Sequence, residues 1–156
     1  MRLRSMMAAG CAMIAGEAAA LSCMQVTLED AYEQAAASEE TYHVVEGTFA
    51  FDSKKAPSFA ETGQAPEGAE LPARFEGMAL NTDGFTTEVE TEVTLAITCA
   101  GPWCGGIEPD VPLIAFLRVD DDRLVLDATP CGGSAFGQPD EAMRQTLLDC
   151  VDGGCS

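Results

Sequence analysis

Basic side chains are scarce in this 156-residue chain, which has 8 lysines and arginines against 26 aspartates and glutamates, giving a formal net charge of −18. Proteins bind phosphate backbones through clusters of Lys and Arg, and the only basic doublet here is Lys54-Lys55. The composition therefore argues against nucleic-acid binding. We interpret the acidity as a solvated, self-repelling surface. Attraction of a basic partner or of cations is the alternative.

Histidine is also nearly absent, since His43 is the only one in the chain. A zinc site with several imidazole ligands is therefore excluded, and a Ser-His-acid triad would have to use His43. The side chain of this residue is predicted to lie on the face of its strand opposite to Phe49, so we expect it to face solvent. Asp120-Asp121-Asp122 lacks the glycine and the terminal glutamate of an EF-hand. We predict a protein that is not an enzyme and that uses no metal or cofactor.

The sequence has no apolar run of the roughly 20 residues that span a bilayer. The N-terminus has the basic residues Arg2 and Arg4, an uncharged apolar run at residues 6–16 and the small residues Ala18-Ala19-Ala20. This pattern predicts a signal peptide over residues 1–20, cleaved after Ala20, and a periplasmic or extracellular protein. Its removal takes away two arginines and one glutamate, so the mature chain has a net charge of −19.

A second cleavage site precedes Cys23, because Ala20-Leu21-Ser22-Cys23 resembles a bacterial lipobox. Cleavage there would place a lipid on Cys23 and tether the protein to a membrane. Lipidation would leave five cysteines and one unpaired thiol, whereas cleavage without lipidation leaves six. The even number favours the protein without a lipid, and a membrane-tethered lipoprotein stays as an alternative.

Seven cysteines are present, of which Cys11 lies in the predicted signal peptide. An even number behind a secretion signal indicates three disulfides formed in an oxidising compartment. Short glycine-containing loops separate Cys99 from Cys104 and Cys150 from Cys155, which leaves Cys23 for Cys131. Six cysteines allow fifteen pairings, and the others stay open.

Hydrophobic patterning predicts one domain over residues 21–156, with a helix at each end and five strands between them. The helices are expected at residues 26–37 and from Pro139 onward, with Met143, Leu147 and Leu148 facing inward. The strands are expected at residues 42–51, 73–80, 85–98, 111–119 and 123–127. Residues 53–72 carry three prolines and no periodicity, which predicts a long mobile loop.

The third strand alternates apolar with polar residues, which predicts a core face made of Phe85, Thr87, Val89, Thr91, Val93, Leu95 and Ile97. It is about twice the usual length, so we expect it to curl and to serve two faces of a small barrel. Closure of five strands would hide their edges. We therefore predict a mainly β fold, a small five-stranded OB-like antiparallel barrel stabilised by disulfides. A β-sandwich is the alternative, but it normally needs more strands.

The layout of these features resembles the netrin-like domain, the OB-fold module that is also found in tissue inhibitors of metalloproteinases. The similarity lies in Cys23 before a short helix, the strand at residues 42–49, the long central strand, Cys131 after the fifth strand, and the terminal Cys150 and Cys155. Inhibitors of that family begin with Cys-x-Cys, whereas this chain has Cys23-Met24-Gln25. The resemblance implies a metalloprotease inhibitor that acts through a free amino group and carbonyl on Cys23.

Trp103 is the only tryptophan, and it lies beside Pro102 and Gly105 in the loop between Cys99 and Cys104. We favour packing of this tryptophan over the barrel end, and a binding anchor formed by Trp103, Pro102 and Gly105 is the alternative. The sequence Trp103-Cys104-Gly105 resembles a thioredoxin site, but Ile107 occupies the position of the second thiol. We expect a non-catalytic binding or interaction module for an unknown protein or small ligand.

Overall fold

Residues 21–58 and 63–155 are described by the structure, a computed structural model of the chain. The predicted signal peptide, residues 1–20, lies outside them. Within the described part of the chain, two helices, α1 (Leu28–Ala37) and α2 (Glu141–Val151), flank eight strands. The strands are β1 (Tyr42–Ala50), β2 (Ala69–Asn81), β3 (Gly84–Ile97), β4 (Cys99–Ala100), β5 (Trp103–Cys104), β6 (Leu113–Asp120), β7 (Arg123–Ala128) and β8 (Ala135–Gly137). A 3₁₀ turn occupies Ser53–Lys55.

Five strands close into a barrel in the order β1-β2-β3-β7-β6, and β6 pairs back to β1. All neighbours are antiparallel except β3 and β7, which run parallel. Closure pairs the strands that would otherwise form the two edges of the sheet. The prediction of a mainly β, disulfide-stabilised five-stranded barrel is confirmed, and its arrangement is consistent with an OB-like layout.

The interior of the barrel is filled by side chains from alternate positions of its strands. Phe49 and Phe75 lie at its centre, fully buried, with their ring centroids 4.9 Å apart. Gly47 and Gly77 sit opposite each other on β1 and β2, and a Cβ on either would come within 2.8 Å of the Phe75 ring. The two glycines therefore leave the space that this ring occupies.

The helices form a second layer on the outer face of β1 and β6. Leu28 and Ala31 of α1 and Leu147 of α2 pack with Ile114 and Phe116 of β6 in a separate apolar cluster. Because β6 supplies residues to both clusters, all five positions from Leu113 to Leu117 are buried. This explains the continuously apolar sequence of that strand.

The long strand β3 serves both apolar layers, as its length predicts. Val93, Leu95 and Ile97 face the barrel interior, whereas Phe85 packs in the cluster beneath the helices. The register with β2 shifts at this point, since Ala79 pairs with Thr87 but Leu80 pairs with Phe85. The extra residue, Thr86, is a β-bulge that turns Phe85 to the opposite face.

The predicted loop at residues 53–72 is wrong at its C-terminal end, because β2 begins at Ala69 rather than at residue 73. The strand was predicted to begin after Pro72, because proline is uncommon inside strands. Pro72 pairs with Thr94 of β3, while the pairing of β2 with β1 extends only to Arg74. Pro72 therefore lies where β2 has one neighbour and a missing N–H is tolerated. Residues 59–62 of this segment lie outside the described residues.

The N-terminus of α1 is a capping box formed by Thr27 and Asp30. The Asp30 backbone N–H donates to the Thr27 hydroxyl at 3.1 Å, and the Thr27 N–H donates to the Asp30 carboxylate at 2.9 Å. The backbone hydrogen bond from Thr27 holds the pKa of Asp30 below its usual value. The stability that this hydrogen bond adds is present above the usual pKa of an aspartate and is lost as the pH falls through the lowered pKa of Asp30.

Three disulfides join Cys23 to Cys131, Cys99 to Cys104, and Cys150 to Cys155. These are the pairs that the spacing of the cysteines favours. The first joins residues 108 positions apart and fastens the segment before α1 to the segment after β7. The other two each join residues five positions apart. Three disulfides are typical of a protein from an oxidising compartment.

Candidate functional site

A mainly apolar cleft lies on the described surface, at the place where the barrel wall opens between β7 and β8. It has a volume of about 310 Å³ and is lined by residues 106–108, 111–113, 126–129 and 132–138, apart from Gly133 and Phe136. We call it the rim cleft. Its volume is at the lower end of the range for small-molecule sites.

The opening follows from the way in which β6 changes neighbours along its length. Near its end, β6 pairs with β7 only from Arg118 to Asp120. Residues Leu113 to Ala115 pair instead with β8, while β7 diverges to pair with β3. The strands β7 and β8 therefore separate, and the rim cleft lies between them.

The outer wall of the cleft is the segment between β5 and β6, and two backbone hydrogen bonds fix it to the barrel. The Gly105 N–H donates to the Thr98 carbonyl at 2.9 Å, and the Asp110 N–H donates to the Phe49 carbonyl at 2.9 Å. Gly105 also packs so closely on β7 that an added Cβ would overlap the Ala128 carbonyl. A site with such a fixed wall needs little ordering to bind a ligand.

The turn after β7 forms another wall and is fixed by the long disulfide. The Gly132 N–H donates to the Thr129 carbonyl at 3.0 Å, and the Thr129 hydroxyl donates to the Gly132 carbonyl at 3.0 Å. Cys131, in the same turn, is bonded to Cys23. The disulfide between Cys23 and Cys131 thus reaches the edge of the cleft, and Cys23 itself is exposed.

The surface of the cleft is mainly apolar and contains no cationic side chain. Leu113, Leu126 and Ala128 form its buried floor. Val111, on the outer wall, has 38% of its surface exposed and is one of four large hydrophobic residues that are exposed in the described part of the chain. The lining includes the carboxylates of Glu108 and Asp127 but no Lys, Arg or His.

The three residues predicted as binding residues lie next to the rim cleft in sequence, but none of them lines it. Trp103 is 42% exposed on the β4–β5 hairpin and belongs to neither apolar cluster. Pro102 is exposed at the turn, and Gly105 is half-buried against β7. Their neighbours Gly106 and Ile107 do line the cleft. A role of Trp103, Pro102 and Gly105 in binding stays a prediction.

The basic side chains are engaged in ion pairs over most of the described surface. Arg118 donates to both carboxylate oxygens of Asp127, at 2.9 and 3.2 Å, and Arg144 donates to both oxygens of Glu46, at 2.8 and 2.7 Å. These hydrogen bonds raise the pKa of each arginine. The second pair ties α2 to β1. Arg74 pairs with Glu90, and Lys55 and Arg123 also have acidic partners.

His43 is exposed on β1, as its position opposite Val45 predicts. Within residues 21–58 and 63–155, no three His, Cys, Asp or Glu side chains lie close enough together to hold a metal ion. Nor does any helix of this part of the chain have the length and apolar character needed to cross a membrane. The structure thus gives no positive sign of a catalytic or metal site in these residues.

The residues of the rim cleft were not singled out from the sequence. Residues 105–112 and 129–134 are rich in glycine and proline and have no hydrophobic period, so they read as ordinary connections. Two such connections on either side of a strand pair are the signal that points to a site between them. Comparison of the chain with protein-family models, curated proteins and solved structures found no match.

Proposed function

We propose that this protein is an exported, non-catalytic binding module that takes its ligand in the rim cleft. The observation that carries the proposal is an apolar cleft of about 310 Å³ whose walls are fixed by backbone hydrogen bonds and disulfides. Rigid apolar concavities with a few polar groups are the usual form of ligand sites. The pattern of residues 1–20 supports export to the periplasm or the extracellular medium.

A cleft-filling variant tests this function. A Cβ on Gly137 would meet no atom within 4 Å, so Gly137→Leu is expected to fold normally and to place its side chain in the cleft. We expect the neutral fluorophore N-phenyl-1-naphthylamine to bind the wild-type protein and to bind Gly137→Leu at least tenfold more weakly. Fluorescence titration measures both dissociation constants.

Ala50→Leu is the matched control, because it adds the same side chain at an exposed position of β1 outside the cleft. It should bind the fluorophore like the wild type. Equal affinity of Gly137→Leu and Ala50→Leu would place the binding elsewhere and would overturn the proposed site. An absence of binding to the wild-type protein would also count against the proposal.

A metalloprotease inhibitor is the second candidate function, and it has its own supporting observation. Cys23 is exposed and is held in place by its bond to Cys131, as an inhibitory terminus would have to be. The layout that resembles the netrin-like domain supports the same function. The mechanism requires cleavage before Cys23, without a lipid, so that the amino group and carbonyl of this residue are free to bind a protease metal.

The inhibitor candidate is tested with two proteins that begin at Cys23, one with a free and one with an acetylated terminus. The free form is expected to slow peptide hydrolysis by a panel of secreted zinc proteases. The acetylated form should not, because an amide nitrogen is a poor metal ligand. Equal rates with both proteins, or an N-terminus at Leu21 in the natural protein, would rule this candidate out.

A further inference from the structure

We infer that the ligand of the rim cleft is an extended peptide segment of a partner protein, which adds as a strand to the edge of β8 and carries apolar and basic side chains in alternation. This inference rests on the proposed function, because it names the class of ligand for the same cleft. It is carried by three features of the site: unpaired strand edges, an apolar floor, and an acidic border.

The first feature is the edge of β8, the terminal strand of the six-stranded sheet. The Phe116 N–H donates to the Ser134 carbonyl at 2.9 Å, and Phe136 pairs with Ile114. Since successive residues of a strand direct their backbone groups to opposite sides, Ala135 and Gly137 turn their N–H and C=O groups away from β6. Both residues line the cleft.

A second edge faces the same opening from β7. Beyond Val125 this strand pairs with β3 alone, and the Ala128 carbonyl accepts from the Thr98 N–H at 3.0 Å. The same alternation directs the backbone groups of Asp127 away from β3, on the side of the cleft. Free edges of this kind bind extended peptides through main-chain hydrogen bonds.

The side chains around these edges define the sequence that fits. Val111 and Ile107 on the outer wall offer apolar surface to an added strand, above the buried floor that includes Leu113. Glu108 is an exposed carboxylate of the lining, whereas the charge of Asp127 is balanced by its ion pair with Arg118. The whole chain has a net charge of −18. An acidic strand would therefore be repelled and a basic one attracted.

Three synthetic peptides test the inference: Ac-VKVKVK-NH2, a copy that is N-methylated at alternate residues, and Ac-VEVEVE-NH2. The first is expected to bind, to displace N-phenyl-1-naphthylamine, and to slow amide hydrogen exchange at Ala135 and Gly137. N-methylation removes main-chain donors but keeps the charge, so we expect at least tenfold weaker binding. The acidic peptide should also bind at least tenfold more weakly than the first.

Each contrary result is decisive. If the N-methylated peptide binds as tightly as the unmodified basic peptide, binding depends on charge and not on main-chain hydrogen bonds. That result would overturn strand addition. Binding of the basic peptide that Gly137→Leu does not weaken would place it outside the cleft, with the same consequence. If the wild type binds the fluorophore in the cleft but not the basic peptide, the inference fails while the proposed function stands. If the fluorophore does not bind either, both fail.

Discussion

Replacement of both Cys23 and Cys131 by alanine is expected to lower the free energy of unfolding by about 5 kcal/mol, the largest effect of any change considered for this protein. The disulfide joins residues 108 positions apart, and in the chain-entropy model the stabilisation grows with the length of the closed loop. Domains are stable by only about 5–15 kcal/mol. Urea denaturation followed by circular dichroism measures the loss.

The matched control is the double variant Cys99→Ala with Cys104→Ala. Its disulfide joins residues five positions apart, so the same relation predicts a loss of about 2 kcal/mol. Both variants remove two cysteine side chains and one disulfide bond, and they differ in the length of the loop that the disulfide closes. A double variant at Cys23 and Cys131 that unfolds at the same urea concentration as the control would contradict the structural role given to the long disulfide.

Phe75→Ala is expected to lower the free energy of unfolding by about 3–5 kcal/mol, the range for large-to-small changes in a core. The ring of Phe75 is fully buried and packs against Phe49. The cavity cannot be filled from Gly47 or Gly77, which have no side chain to move into it. Thermal and urea denaturation measure the change.

Phe85→Ala is the control for Phe75→Ala, because Phe85 is half-buried under the helices rather than enclosed in the barrel. We expect a clearly smaller loss for it, since less apolar surface is exposed to water in the variant. Equal losses for the two variants would show that the barrel interior is not the main core.

The continuous apolar sequence predicted β6. Period-two alternation predicted β1 and β3, because each of these two strands buries one face against the interior. It placed Val93, Leu95 and Ile97 correctly on the core face of β3. It could not reveal that Phe85 leaves this face, because the bulge at Thr86 depends on the pairing with Leu80. The start of β2 was missed for a related reason: Pro72 is tolerated there through the absence of a second neighbour.

The short strands and the cleft could not be predicted from local sequence patterns. β8 has three residues and exists because β6 offers it a free edge, which is a property of the assembled sheet. The rim cleft likewise arises from the divergence of β7 and β8, so its residues come from four separate stretches. Of the features in the sequence, the cysteines come nearest to indicating the position of the cleft, since Cys104 and Cys131 each lie within two residues of its lining.

Binding of the ligand in the rim cleft can be located by chemical-shift mapping of ¹⁵N-labelled protein with N-phenyl-1-naphthylamine. We predict that the largest shifts occur at the amides of Gly106, Ile107, Gly132 and Gly137, around the rim cleft. A separate groove on β2 and β3 includes Met78 and Val89. Shifts centred on that groove, with the amides of the rim cleft unchanged, would contradict binding in the rim cleft.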